Sequence, residues 1–353
     1  MLLWMDGFDI YGTGTTGRTN MLDGVYAEIP STGSGPQTTQ ARTGVNSFQL
    51  PINNGDPGFR RIFGANKATV GFGFACWFSN LPTGNSNLVL AQFNDNANAP
   101  VCCITVTTTG QIEVRTGSHT GAVRATSAPV LVTTAWQHVE IKTTFHNTTG
   151  ACEVRVNGQT VINASNINTD NLGTSYAAQV RHGRGGVGMV YSLTSYIDDM
   201  YAWDLSGSYN NDFIGDKKVY TIFPSADTAV ADWTPDSGGV GFSRINEVPP
   251  VDASYIQGST PGDVSEFAMT DLPADVTNVL ALQMYTRQLK TDAGDSSVQM
   301  AVVSGASDAS GADRPLTLAA TYYMDVFEED PDTSAPWTKT GVDAVLTRAT
   351  RTL

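Results

Sequence analysis

Two adjacent carboxylates, Asp198 and Asp199, are the first candidates for acid–base chemistry; they lie in the segment SYIDDMYAWDL of residues 195–205. Hydrolysis of a glycosidic bond requires two carboxyl groups that face the same sugar. The segment alternates like a β-strand, and neighbouring residues of a strand point to opposite faces of the sheet. We therefore expect that these two carboxylates do not form one acid–base couple.

The histidines are scattered along the chain and do not suggest a catalytic group. His138 lies on the face of its strand that alternation turns away from the core, where we expect a structural hydrogen bond rather than a general base. The sequence contains neither a Gly-x-Ser-x-Gly elbow nor a phosphate-binding loop. We therefore predict that the protein is not an enzyme and has no catalytic residues. The other histidines are His119, His146 and His182.

The charge of the chain excludes some partners. It has 34 acidic and 20 basic residues, a net charge of −14. Binding to phosphate requires clustered Lys and Arg, so we expect no contact with nucleic acid or anionic membranes. No apolar stretch is long enough to cross a membrane, and the start of the chain, MLLWMDGFDIYG, lacks the basic region of a signal peptide.

The four cysteines do not form a metal-binding or redox motif. Cys76, Cys102, Cys103 and Cys152 lie in strand-like segments, without a Cys-x-x-Cys pair. We interpret them as buried free thiols of a chain that folds in a reducing cytosol. A disulfide between Cys76 and Cys152 is the alternative.

The apolar pattern predicts an all-β fold. Residues 135–162 alternate as three antiparallel strands, and Asn157-Gly158 supplies the two positive-φ positions of a type I′ hairpin. Similar alternation in residues 68–78 and 195–205 contributes to about nine strands, which fits a jelly-roll β-sandwich.

The domain organisation follows from where the alternation fades. We predict a jelly-roll domain over residues 1–205, an extended connecting segment over 206–261, and a smaller β-rich domain over 262–353. Within the first domain, residues 11–40 are rich in Gly, Thr and Ser and predict an ordered loop or contact arm. Near the C-terminus, residues 342–350 fit a helix capped by Thr340 or a strand equally well.

Three segments of the first domain resemble the concanavalin A-like, laminin-G-type jelly roll. They are ACWF (75–78), WQHVE (136–140) and VRVNG (154–158). Their order and spacing are similar to the core hairpins of that superfamily, across residues 1–205. The resemblance implies a concanavalin A-like sandwich as the fold.

Laminin-G-type domains commonly bind calcium at a rim through carboxylate and carbonyl oxygens, which suit a hard cation. The resemblance therefore implies Asp95, Asp198 and Asp199 as candidate ligands. No EF-hand spacing occurs, and Asx residues that only form turns are the alternative. No other cofactor is expected.

Sugar binding by such a domain usually relies on exposed aromatic rings that stack on pyranose rings. The resemblance implies Trp77, Trp136, Tyr191 and Trp203 as candidate carbohydrate-binding residues. A jelly roll also needs large aromatic residues in its core, and the sequence leaves open which residue plays which part.

A second resemblance covers nearly the whole chain. Its segments are similar, in this order, to segments of bacteriophage virion structural proteins. They are DGFD (6–9), YIDDMY (196–201), GDKKVY (215–220), DWTP (232–235), TDAG (291–294), DPDT (330–333) and PWT (336–338). The resemblance implies a component of a phage particle.

We therefore expect a structural protein on the virion surface, made in the host cytoplasm, in the tail or adsorption apparatus or as a capsid decoration. Its expected partners are other virion proteins and copies of itself, as a homo-oligomer such as a trimer. There are two alternative functions. One is a lectin-like module that recognises host glycans, and the other is a glycan hydrolase that uses Asp198 or Asp199.

Overall fold

The chain folds into two compact units. A computed structural model describes residues 1–30, 34–50, 58–83, 87–183 and 193–353. The first unit comprises Met1–Asp9 and Thr13–Val219, and the second comprises Ile10–Gly12 and Tyr220–Leu353. The first unit therefore extends beyond the predicted boundary at residue 205, because residues 206–219 pack on its large sheet. None of the helices described is long and apolar enough to span a membrane.

The first unit is built almost entirely of strands. They are β1 (Leu2–Asp6), β2 (Gly35–Gln37), β3 (Ser47–Leu50), β4 (Phe59–Lys67), β5 (Thr69–Phe78), β6 (Leu88–Asn94), β7 (Pro100–Val106), β8 (Gln111–Thr116), β9 (Val123–Pro129), β10 (Gln137–Thr144), β11 (Gly150–Val156), β12 (Gln159–Ile167), β13 (Ala177–His182) and β14 (Ser195–Asp204), with one helix, α1 (Gly14–Leu22).

These strands form two antiparallel sheets. The eight-stranded sheet has the order β12-β11-β10-β5-β14-β3-β2, with β1 paired to β14, and the six-stranded sheet has the order β4-β13-β6-β7-β8-β9. The predicted meander of residues 135–162 is present as β10, β11 and β12, and Asn157 and Gly158 both have positive φ at its second turn. The predicted all-β sandwich fold is confirmed.

The core lies between the two sheets. Phe72 and Phe74 of β5 pair with Ile141 and Val139 of β10, and all four side chains are buried. From the opposite sheet, the ring of His182 meets the ring of Phe74 at 4.8 Å between centroids. Alternation in β5 and β10 places these apolar residues on one face, as predicted.

Two glycines on the other face of β5 are required by packing. A Cβ atom at Gly71 would lie 1.9 Å from the ring of Trp203, and one at Gly73 would lie 2.2 Å from the ring of Tyr201. Both distances are far below van der Waals contact. The alternating glycines of GFGFA therefore form a floor on which the two rings lie directly against the backbone.

One prediction for the first unit needs correction, and the prediction for its cysteines does not. Residues 11–40 are not only loop, since they contain helix α1 and strand β2. The sequence of α1, GTTGRTNML, has no apolar stripe, and Thr13 begins it without a side-chain cap, so neither usual signal of a helix was available. All four cysteines are buried free thiols, as predicted, and the alternative Cys76–Cys152 disulfide is not formed.

The second unit has a five-stranded antiparallel sheet of order β15-β18-β25-β20-β21 and three two-stranded pairs, β16-β17, β19-β22 and β23-β24. Its buried cluster includes Trp337, whose indole nitrogen donates to the Phe327 carbonyl at 3.0 Å. The elements are β15 (Pro224–Ala231), β16 (Thr234–Pro235), β17 (Ile256–Gln257), β18 (Val264–Met269), β19 (Leu282–Gln288), β20 (Ser297–Ser304), β21 (Ser307–Pro315), β22 (Thr321–Phe327), β23 (Glu329–Asp330), β24 (Ala335–Pro336), α2 (Lys339–Asp343) and β25 (Leu346–Arg351).

The ambiguous C-terminal segment contains both structures that its sequence allowed. Helix α2 occupies one turn and ends at Asp343, and β25 follows as a central strand of the sheet. The helix is capped by Thr338, whose hydroxyl accepts from the Gly341 amide at 3.0 Å, and not by Thr340 as predicted.

The glycine floor gives a test of the sandwich. We expect Gly71→Ala to lower the free energy of unfolding by about 3 kcal/mol, because the new methyl group overlaps the Trp203 ring. Gly64→Ala is the control, since Gly64 has open space around it and a positive φ, and there about 1 kcal/mol of backbone strain is expected. Urea denaturation measures both, and equal losses would contradict the packing role of Gly71.

Candidate functional site

The outer face of the eight-stranded sheet, which points away from the core, carries the chemistry of the first unit. β10, β5 and β14 lie side by side at its centre. Their register sets polar and aromatic side chains in rows across this face. The rows are Trp77 with Tyr196, Ala75 with His138 and Asp198, Gly73 with Glu140 and Tyr201, and Gly71 with Lys142 and Trp203.

An aromatic row crosses one end of this face. The rings of Trp77 and Tyr196 lie 5.5 Å apart between centroids, tilted by 56°. Trp136 directly precedes Gln137, the partner of Cys76, so the same register sets it beside Trp77. Both tryptophans are partly exposed, whereas Tyr196 is buried. We call Trp136, Trp77 and Tyr196 the aromatic row.

An acid–base cluster of three side chains, His138, Glu140 and Tyr201, lies further along the same face. The Tyr201 hydroxyl is 2.9 Å from His138 Nε2 and 3.1 Å from Glu140 Oε1. All three residues are buried. Burial lowers the pKa of His138 to about 4, and it raises the pKa of Glu140 and of Tyr201 above their ordinary values. His138 and Tyr201 are therefore both uncharged in this cluster.

Residues 212–217 lie over this cluster, and we call them the cover segment. The amides of Ile214 and Gly215 both donate to Glu140 Oε1 at 3.0 Å, and the Tyr201 hydroxyl donates to the Gly215 carbonyl at 2.8 Å. The adjacent Phe213 ring meets the ring of Trp203 at 5.8 Å between centroids. The cover segment thus closes the acid–base cluster from solvent.

The two aspartates of β14 occupy different positions from those that the sequence predicted. A β-bulge falls between Asp198 and Tyr201, and Asp199 has a φ of +50°. Strict alternation of side chains fails at the bulge. The Thr43 amide donates a hydrogen bond to Asp198 Oδ2 at 3.1 Å, and the Thr43 hydroxyl donates one to Asp199 Oδ2 at 2.9 Å. The expectation that the two carboxylates diverge is therefore wrong, because both meet the same short segment.

Arg42 joins this buried acidic pair to the cover segment. Its guanidinium donates to Asp199 Oδ2 at 2.7 Å and to the Lys217 carbonyl at 3.1 Å, and it also pairs with Asp216. Asp199 Oδ1 accepts in addition from the Val219 amide at 2.7 Å. Burial and the neighbouring Asp199 raise the pKa of Asp198.

The predicted carbohydrate-binding aromatics are only partly brought together. Trp77 and Trp136 are both in the aromatic row. Trp203 lies elsewhere on the same face and has no exposed surface, since Phe213 and Tyr201 pack against it. Tyr191 lies outside the described residues.

The predicted calcium ligands lie apart. Asp95 closes its own turn by accepting from the Ala99 amide at 2.8 Å, as the turn-forming alternative supposed. Asp198 and Asp199 accept from backbone amides and from Arg42. Within the described ranges, no group of three or more His, Cys, Asp or Glu side chains could hold a metal ion.

Few features of the sequence indicate that Glu140, Tyr201 and Arg42 belong to one site. Alternation did place His138 and Glu140 on one face of β10. The additional signal was the pair of glycines in β5, because glycines at alternate positions leave room for large side chains from a neighbouring strand. Arg42 comes from a loop that no strand pattern connects to β14.

Comparison with known proteins identifies no family for this chain. No protein-family model matches the chain, and no curated protein matches it. Among solved structures, the cellulose-induced protein Cip1 is 16% identical, covering 50% of this chain and 86% of its own, with a TM-score of 0.35. The alginate lyase Aly36B is 13% identical, covering 56% of this chain and 95% of its own, with a TM-score of 0.36.

A carbohydrate esterase from the Shiga toxin-encoding bacteriophage phi24B is also similar. It is 10% identical, covering 57% of this chain and 97% of its own, with a TM-score of 0.38. A fold shared at this distance does not imply a shared function.

The expectation that this protein is not an enzyme is contradicted, because the reasoning behind it fails on two counts. It assumed regular alternation at Asp198 and Asp199, which the bulge breaks. It also treated His138 as an isolated hydrogen-bonding residue, whereas the structure sets it beside Tyr201.

The Arg42–Asp199 contact can be tested by removing the cation. We expect Arg42→Ala to lower the free energy of unfolding of the first unit by about 3 kcal/mol, because Asp199 would remain as a buried charge without its partner. Arg18→Ala is the matched control, as Arg18 donates to Ser34 and Thr15 at a more open position. Thermal and urea unfolding of both variants would show the difference, and equal stability would contradict the assignment.

Proposed function

We propose that the protein is a surface component of a bacteriophage particle that contacts host glycans through the aromatic row. The observation that carries this proposal is the pair of partly exposed tryptophans, Trp77 and Trp136, beside Tyr196 at one end of the outer face. Aromatic side chains combine a large apolar face with little conformational freedom, so they bind flat apolar surfaces with a small loss of entropy.

The geometry of the row suits a sugar ring. Trp77 is held by its contact with Tyr196 and by its place within β5, so it is fixed before a ligand arrives. The C–H face of a pyranose is apolar, whereas its hydroxyl groups need polar partners nearby. Gln49 pairs with Tyr196 in register and extends the same row with an amide.

The role in a particle is supported by the ordered segments that resemble virion structural proteins. In this proposal the first unit is displayed at the surface of the tail apparatus or of the capsid. The second unit contacts other virion proteins and copies of this chain, in a homo-oligomer such as a trimer. The protein would be made in the host cytoplasm before assembly.

Glycan contact is tested on an array of bacterial surface polysaccharides, followed by calorimetry with the best oligosaccharide. We expect Trp77→Ala and Trp136→Ala each to weaken binding about tenfold, equivalent to about 1.4 kcal/mol. Leu172→Ala should leave the affinity unchanged, since it removes an exposed apolar side chain elsewhere in the unit. An array without signal above background would refute the proposed glycan contact.

The particle role is tested separately. Antibody labelling of intact phage particles in electron microscopy should place the protein at the tail or on the shell, and light scattering of the purified protein should give a mass above that of one chain. Particles without label, together with a monomer in solution, would refute this part of the proposal while leaving glycan contact open.

A further inference from the structure

The contacts that hold the cover segment on the sheet are of the kind that hold a bound ligand. Phe213 lies in a box made by one aromatic ring and two cations. The Trp203 ring meets its edge, Arg155 stands 3.7 Å from its ring centroid, and Lys142 stands 4.6 Å from it. A flat ring with cations over it is held by apolar contact and by cation–π attraction together.

The polar contacts of the cover segment have the same character. Backbone groups of Ile214 and Gly215 provide two donors to Glu140 and one acceptor for Tyr201. These are the donors and acceptors that hydroxyl or amide groups of a bound molecule would also supply. The cover segment itself contains no strand, so none of its residues belongs to the sheet that it covers.

The cover segment leaves two buried atoms of the acid–base cluster unsatisfied. His138 Nδ1 and Glu140 Oε2 have no hydrogen-bond partner among the residues that the structure describes, although both side chains are about 99% buried, each with a relative exposure of 1%. A buried polar atom without a partner is destabilising by about 1–3 kcal/mol. A segment selected only to seal the face would pair these atoms, whereas a site built for another occupant leaves them free in its absence.

We propose that the cover segment is displaceable and that it closes a second glycan site, built from the acid–base cluster and the box around Phe213, which takes a sugar ring carrying a carboxylate. When the cover segment leaves, Lys142 loses its partner Asp212, and the space between Trp203 and Arg155 is vacated. A pyranose ring can then stack on Trp203, while its carboxylate pairs with Lys142 and lies beside Arg155, which keeps its ion pair with Glu153. The glycan class rests on the proposed function, but the site is distinct from the aromatic row.

The ion pairs of the cover segment oppose its displacement only weakly. They use partly exposed carboxylates, Asp212 with 64% and Asp216 with 48% of the side chain accessible, and exposed ion pairs contribute little to stability. If the open form is populated at about 1%, the apparent affinity of the site is about a hundredfold below its intrinsic affinity, and any change that loosens the cover segment recovers part of that factor.

Opening also changes the environment of His138. In the closed form it faces Tyr201 and Asp198 from β14, Glu140 on its own strand, Arg42 from the neighbouring loop, and Asp216 and Lys217 from the cover segment. Burial is the main cause of the lowered pKa of His138, and displacement of the cover segment exposes the His138 side chain to water. Its titration therefore reports opening independently of any ligand.

The test uses the full chain with Phe213→Ser, which empties the box without changing charge. Calorimetry with a hexamer of galacturonate, and with maltohexaose as the neutral probe, measures binding. We expect the variant to bind the acidic hexamer about tenfold more tightly than the unaltered protein. The gain should disappear when Lys142→Ala is added, and binding of maltohexaose should not change.

Histidine-selective NMR of the same proteins gives the second readout, because the chain has only four histidines. His138→Gln assigns the His138 signal. In the unaltered protein this signal should titrate with a pKa of about 4, and in Phe213→Ser the pKa should move towards the ordinary value of about 6.5. A cooperatively folded Phe213→Ser protein with unchanged His138 titration and unchanged affinity for the acidic hexamer would overturn the proposal.

A milder variant covers the case in which Phe213→Ser does not fold. Asp212→Asn removes the ion pair with Lys142 and the weaker attraction to Arg155, and Asp23→Asn is the control with the same change of charge away from the cover segment. We expect Asp212→Asn to raise affinity for the acidic hexamer about threefold, as expected from loss of about 0.7 kcal/mol of cover binding. Equal effects of the two variants would overturn the proposal.

The two glycan proposals fail independently. If Trp77→Ala weakens glycan binding but Phe213→Ser gives no gain, the aromatic row stands and the covered site does not. If Phe213→Ser gives the gain in a Trp77→Ala background, and Trp77→Ala alone changes nothing, the covered site stands and the aromatic row does not.

Discussion

The ion pair between Arg42 and Asp199 is the interaction on which the arrangement of the outer face depends. The Asp199 carboxylate is buried and accepts from the Arg42 guanidinium, the Thr43 hydroxyl and the Val219 amide. A buried carboxylate without such donors would be strongly destabilising. The contact therefore fixes three separate stretches of chain together: the bulge of β14, the loop that contains Arg42, and the end of the first unit.

The bulge and the glycine floor together explain how a sandwich produces an acid–base cluster. One extra residue at Asp199 shifts the register of β14, so that Tyr201 comes to lie opposite Gly73. Since Gly73 has no side chain, the Tyr201 ring lies flat on β5, and its hydroxyl falls between His138 and Glu140 of the next strand. The cluster is thus a consequence of backbone geometry on one strand and of missing side chains on another.

Sequence patterns predicted those parts of the structure that depend on local alternation. The inward positions of Phe72, Phe74, Val139 and Ile141, and the turn at Asn157, follow from period-two burial and from turn chemistry. The bulge could not be predicted in this way, because a positive φ at an aspartate is set by the tertiary contacts of its carboxylate. The cover segment could not be predicted either, since its contacts are between residues far apart in the chain and carry no periodicity.

The position of Phe213 links the stability of the first unit to the selectivity of the covered site. Phe213 and Tyr201 both pack against the buried Trp203 ring, so displacement of the cover segment exposes the apolar surface that Phe213 covers. A ligand that only neutralised Lys142 and Arg155 would leave that apolar surface uncovered, and the closed form would remain favoured. A ligand that only stacked on Trp203 would leave Lys142 without the carboxylate that it has in the closed form, although Arg155 would keep its ion pair with Glu153. Only a molecule that combines a flat apolar face with a carboxylate replaces both sets of contacts, which is why a carboxylated sugar ring matches this site better than a neutral one.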